Sequence, residues 1–289
     1  MENEFIKAGY FEEDPFDRTK RYFGEKKFHK LRTSSVLVVG AGAVGNEVCK
    51  NLALLGIDNI KLVDFDKVTK SNLNRCVFFR PEDHNKMYKV YAIQKRLQEI
   101  SDTRIDAYPV RIEEAPEDVW DVDLIIVGVD DNYARYFINS KNLSLDNPKP
   151  IINGAMGQDF VQVDVLYPPY TACLVCPWSD DYTGHILSRQ VKQKCDEYFI
   201  ETVSKFPTIS FATSLVGAII AIEAVKLLTI NLKKEIYNDL QRVLSITSLG
   251  KSIIYNFQKQ ELKKIRIMPN PKCNEPLCIK RREDIITQS

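Results

Sequence analysis

The stretch Gly40-Ala-Gly42-Ala-Val-Gly45 follows the apolar run Ser35-Val-Leu-Val-Val39, and an acid stands 19 residues beyond Gly45, at Asp64. Gly40 permits a tight turn, Gly42 lets a ligand approach the backbone, and Gly45 lets a helix pack closely on the strand before it. The Asp64 carboxylate would accept hydrogen bonds from ribose hydroxyls. Glycines that only shaped a turn would not need an acid at that spacing. The loop therefore points to a nucleotide, without saying which one.

The following segment, from Asp64 and Asp66 to Asn72 and Arg75 and on to Lys86 and Lys89, bears on that choice. A nicotinamide-dependent oxidoreductase would need only the ribose acid at this strand end. Cations gathered there suit a triphosphate attacked at its α-phosphate, where charge builds on that phosphate and on departing pyrophosphate. The plain alternative is a solvated basic loop, which fits lysines better than a segment of short polar residues ending in arginine.

Cys173-Leu-Val-Cys176 and Cys273-Asn-Glu-Pro-Leu-Cys278 are two close cysteine pairs far apart in the chain. Each can present two sulfurs to one tetrahedral zinc, and together they close a structural site with no open position. Such a site would staple the C-terminal tail to the loop at 173–176. Cys195 lies in polar company, with Lys192 and Lys194 favouring a thiolate and Asp196 and Glu197 opposing it. It is read either as a nucleophile or as a surface cysteine without a role. Cys49 and Cys76 suit core packing, and His29, His84 and His185 share no spacing with an acid or nucleophile.

These groups need a scaffold. Ser35–Val39, Ile60–Asp64, Ile105–Val110, Leu124–Val127 and Ile151–Ala155 read as strands, alternating with helices at 46–55, 89–100 and 133–140. That alternation implies a doubly wound, Rossmann-like α/β sheet, parallel at first. Phe160–Leu166 and pieces of 243–257 alternate polar and apolar, so the sheet should continue into an antiparallel half. The expected organisation is an N-terminal arm at 1–30, one α/β domain at 31–267 with a crossover loop near 177–207, and a cysteine-bearing tail at 268–289.

Forty Lys and Arg against 39 Asp and Glu give a net charge of +1, which argues against a nucleic-acid partner. The apolar stretch 215–230 contains Glu223 and Lys226 and reads as a buried or interface helix, not a membrane span. Seven cysteines behind an acidic N-terminus with no apolar leader point to a reducing compartment, the cytoplasm.

From Phe16 to Cys278 the chain resembles the ThiF/MoeB/HesA proteins and the adenylation domains of ubiquitin-activating enzymes. The motifs are GAGAVG, DFDKVTKSNLNR, VDDNYAR and the two cysteine couples; the spacing of the second couple looks like that of ubiquitin-fold-modifier activating enzymes. The resemblance implies ATP-dependent adenylation of the C-terminal carboxylate of a ubiquitin-like protein ending in Gly-Gly. Asn72, Arg75 and a lysine, Lys89 before Lys86, would meet the ATP phosphates, Asp130 would hold Mg2+, and the four cysteines Zn2+. Arg18 would reach a partner subunit's ATP, which implies a homodimer. The product could pass to Cys195 as a thioester, to a conjugating enzyme, or into sulfur transfer; a dehydratase-like enzyme that adenylates a small-molecule carboxylate is the alternative within the family. The chain departs from the family pattern at Asp131 (usually Asn), Cys76 (usually Gln), Thr19 (usually Gln) and in 84–89, which is one residue longer.

Overall fold

A computed structural model describes residues 14–195 and 207–288. Two short helices, α1 (Asp17–Phe23) and α2 (Glu25–Arg32), lead into β1 (Ser35–Val39), α3 (Ala43–Leu54) and β2 (Asn59–Val63). Then come α4 (Lys89–Leu97), β3 (Arg104–Tyr108), β4 (Leu124–Val127), α5 (Asn132–Ser144), β5 (Ile151–Met156) and β6 (Phe160–Leu166). The second part adds α6 (Asp180–Cys195), α7 (Ser210–Thr229), α8 (Leu232–Ile246), β7 (Lys251–Asn256), β8 (Glu261–Arg266) and α9 (Pro276–Gln288). The strands form one eight-stranded sheet in the order β3-β2-β1-β4-β5-β6-β7-β8. It is parallel from β3 to β5 and antiparallel from β5 to β8.

The central strands are apolar on both sides because both faces are covered. Val36 and Val38 of β1 pack with α3, α4 and α7, whereas Leu37 and Val39 pack with Trp120, α5 and the cysteine cluster. By length and composition α7 could cross a membrane, yet 67% of its apolar window is buried against α3, β5 and β6. Phe211 and Ile222 remain exposed on it. Strand order reverses between β1 and β4, so a crevice opens beyond their carboxyl ends, where ligands bind in open α/β sheets.

Four features differ from the pattern read off the chain. Val243–Ile246 is helical, because Leu232, Ile236 and Val243 recur at helical spacing and are buried together. Strand β8 carries no alternation, since all six of its residues are exposed; its pairing with β7 alone makes it a strand. The crossover region contains a helix, α6, through Cys195. Finally, a boundary at residue 30 cuts α2, whose Phe28 and Leu31 are buried on the domain core, so the arm proper ends before Glu25.

Candidate active site

Gly40 sits at φ +103°, and a Cβ there would lie 2.7 Å from the Gly128 carbonyl oxygen. A Cβ on Gly45 would lie 2.0 Å from the Gly40 oxygen, whereas Gly42 faces open space. The first and last glycines are thus required by packing, and the middle one leaves backbone open at the N-terminus of α3, where free N–H groups and the helix dipole favour a phosphate. Gly45→Ala should cost at least about 2 kcal/mol of stability. A thermal melt within experimental error of wild type would contradict that packing.

Asp64 fastens this loop. One carboxylate oxygen accepts from Ala41 N–H at 2.7 Å and the other from Asp66 N–H at 2.8 Å. Burial pushes its pKa up, opposed by Lys89 and these two N–H donors. An antiparallel bridge between Lys67 and Tyr88 folds the 64–89 segment back on itself. That brings the buried Lys89, first residue of α4, to Asp66, with Nζ 2.6 Å from the carboxylate. Lys86 lies exposed on the turn beside Asn85, which holds φ +57°. Of the two lysines, Lys89 is the one that meets Asp66 beside the glycine loop.

Asn72 closes a short 3-10 turn, its carboxamide oxygen accepting from the backbone N–H and hydroxyl of Thr69, both at 3.0 Å. Its amide N–H groups are what it can offer a phosphate. Arg75 donates to the Ser71 carbonyl and to the Asn74 side chain, and its Nε is buried with no protein partner among the described residues.

Asp130 is exposed just past β4. Asp131, where the family usually has asparagine, caps α5 by accepting from Tyr133 N–H at 3.0 Å, a role either residue fills. Arg135 donates to the Val129 carbonyl and to Asn132, both at 2.7 Å, and so holds the loop that carries Asp130.

Arg18 is not brought to this site. It is exposed on α1, whose neighbour Phe16 packs on Phe28 and beside Gly56, at the far end of α3. That helix of 12 residues separates the two ends by about 18 Å. Cys195 closes α6, and its side chain lies outside the described residues. Cys49 and Cys76 are buried thiols that burial pushes up to about 12 and about 11.

Sequence reasoning missed Asn46. Fully buried in the first turn of α3, it donates to the carbonyls of Ala41 and Gly42 and accepts from Phe78 N–H, joining the glycine loop to the phosphate segment. An amide side chain one residue after Gly45 was the available signal. Phe65, half exposed beside Asp64 with the Arg111 guanidinium 4.0 Å over its ring, had no signal at all.

The four cysteines of the two couples converge. Their sulfurs all lie within 4.8 Å of one another, with Cys173–Cys273, Cys176–Cys273 and Cys176–Cys278 each at 3.7 Å. Zinc–sulfur bonds of about 2.3 Å put tetrahedral sulfurs about 3.8 Å apart, so the set fits zinc. Hydrogen bonds from the Cys173 side hold the Cys176 and Cys273 thiols below their ordinary range. Around the cluster, Ser140 of α5 donates to buried Glu275, and Arg281 of α9 donates to the carbonyls of Leu143 and Leu145. A metal here would tie α9 and the segment before it to the 173–176 loop, with four thiols filling a tetrahedral set.

An open α/β sheet with a glycine loop fastened by Asp64, Lys89 and Arg75 on the segment that follows, and a cluster of four thiols, defines a nucleotide-using domain of the activating-enzyme type. The chain belongs to the ThiF family, whose model matches residues 16–275. A sulfur carrier protein adenylyltransferase of Thermus thermophilus is 28% identical over 258 residues, 88% of this chain and 86% of that protein. The NEDD8-activating enzyme E1 catalytic subunit of Caenorhabditis elegans is 32% identical over 165 residues, 53% of this chain and 38% of that protein. The chain thus spans well under half the length of that relative. Among solved structures, Escherichia coli MccB with ATP shares the fold, with a TM-score of 0.69 and 20% identity over 92% of this chain and 75% of that one.

Proposed function

We propose that this ATP-dependent adenylating enzyme acts on the C-terminal carboxylate of a small ubiquitin-like or sulfur-carrier protein, one ending in Gly-Gly. The carboxylate oxygen attacks the α-phosphorus of ATP, the bond to the β-phosphate oxygen breaks, and pyrophosphate leaves with that electron pair. An acyl-adenylate remains. Its mixed anhydride is primed for a thiol or sulfide.

The observation that carries this reading is the meeting of Lys89, Asp66 and Asp64 beside the glycine loop. Hydride transfer has no use for a buried ammonium there. In pyrophosphate release, Lys89 and Arg75 neutralise the growing charge and Asn72 N–H groups orient a phosphate. Asp130 would hold the Mg2+ that accompanies ATP, supplying further charge neutralisation. Arg18, remote from its own chain's site, serves the site of a second copy, so the working form is a homodimer. The clustered thiols suit the reducing cytoplasm.

ATP–pyrophosphate exchange, with and without a ubiquitin-like protein ending in Gly-Gly, tests this. Exchange that requires the small protein supports it. Exchange with a small carboxylic acid alone moves the substrate to a low-molecular-weight compound, and tight NAD binding without any exchange overturns the adenylation reading. A reductant-sensitive adduct lost in Cys195→Ser would make that cysteine the acceptor; exchange without an adduct would assign transfer to a separate conjugating enzyme or sulfur donor.

A further inference from the structure

Asp66 and Lys89 face each other across a short antiparallel ladder. Lys89 N–H donates to the Asp66 carbonyl at 2.9 Å and Val68 N–H donates to the Met87 carbonyl at 3.0 Å, on either side of the Lys67–Tyr88 bridge. Residues directly opposite in such a ladder project to the same side, and here the Asp66 carboxylate meets the Lys89 ammonium at 2.6 Å. Asp66 is also fixed from behind, its N–H donating to the Asp64 carboxylate at 2.8 Å. One side of the ladder therefore starts at the acid that fastens the glycine loop, and the other runs into α4.

Lys89 stands against local preference. It is the first residue of α4, where the helix dipole disfavours a cation, and the first turn of that helix holds no acid. Its side chain is only 11% exposed, whereas that of Asp66 is 49% exposed. Among the described residues, Asp66 is the one carboxylate within ion-pair distance of it. Departures of this kind from local rules collect at functional sites.

An ionised carboxylate only accepts hydrogen bonds, so Asp66 has nothing to donate to a phosphate oxygen. An ammonium carries three N–H groups, so Lys89 keeps two for a ligand while one is engaged by Asp66. We propose that Asp66 is a positioning residue: it holds the Lys89 ammonium where charge grows on departing pyrophosphate and does not itself touch the nucleotide. This rests on the adenylation reading above. Released from its carboxylate, a lysine on a flexible four-carbon stem would settle on whichever triphosphate oxygens carry most charge before reaction. It would then bind ATP at least as well while giving less to the transition state, and only the second effect changes the rate of the chemical step.

The test is pyrophosphate exchange with a ubiquitin-like protein ending in Gly-Gly, measured for wild type, Asp66→Asn, Lys89→Ala and the double variant. Asparagine keeps an acceptor and every backbone bond of the ladder, and a half-exposed ion pair contributes little to stability. The melt of Asp66→Asn should therefore match wild type. Its kcat should fall about tenfold, the worth of one hydrogen bond to a charged group, with the KM for ATP unchanged or lower. In the Lys89→Ala background the same change should cost less than about twofold, because Asp66 acts only through that lysine. A higher KM for ATP at unchanged kcat, or losses that multiply in the double variant, would make Asp66 a nucleotide or magnesium contact and overturn the proposal. Wild-type kinetics in Asp66→Asn, or a rate loss that follows a lowered melt, would overturn it by reducing the pair to a cross-strand tie. Each of these results leaves adenylation standing, since the wild-type enzyme still exchanges. No exchange by wild type with any carboxylate would remove both.

Discussion

Arg75→Ala is expected to lower ATP–pyrophosphate exchange by at least a factor of about 1000, roughly 4 kcal/mol of lost transition-state stabilisation. The arginine's own contacts are local, to Ser71 and Asn74 within its turn, so its loss leaves the fold untouched. The buried, unpaired Nε shows a side chain held in place with hydrogen-bonding capacity in reserve. Charge on the departing pyrophosphate develops only as the α-phosphate is attacked, so the deficit should fall chiefly on kcat and less on the KM for ATP. Arg75→Lys should recover a fraction of the rate, since an ammonium keeps the charge but loses the planar fork. An alanine variant retaining a tenth or more of wild-type exchange, with an unchanged melt, would remove Arg75 from the reaction.

Zinc removal should produce the largest change in stability. Structural zinc binding is worth on the order of 10 kcal/mol, comparable with the whole stability of a typical domain. Without the ion, four sulfurs would sit buried against one another with no cation between them, and the clamp between the 173–176 loop and α9 would open. Purified protein should contain one zinc per chain. Chelation, or Cys273→Ser, should lower the melting temperature by more than about 10 °C and expose the 268–288 tail to protease. The damage should be graded: the glycine loop and Lys89 are built by β1, α3 and α4, not by the tail, so nucleotide binding should outlast tail docking on titration with chelator. A metal-free preparation with an unchanged melt would show that the cluster is four buried thiols only.

The sequence by itself determined what is encoded locally. The β1–α3–β2 unit was legible because a continuous apolar strand, three glycines and Asp64 all act within one short stretch, where Gly45 answers to the Gly40 carbonyl and Asp64 to the Ala41 N–H. The cysteine couples were legible for the same reason, since pairs at ligand spacing announce a tetrahedral site before their partners are known. Positions whose role depends on distant neighbours were not. Strand β8 has no pattern of its own and exists through β7. That Lys89 meets Asp66 follows from a backbone bridge between 67 and 88, and the distance of Arg18 from the glycine loop follows from where Phe16 packs. The buried polar row of Asn153, Asp164 and Ser252 is the clearest case. Each residue looks ordinary in its strand, and only the pairing of β5, β6 and β7 aligns them. Register is a property of the sheet, because hydrogen bonds between strands, not the order of residues along any one of them, decide which side chains share a row.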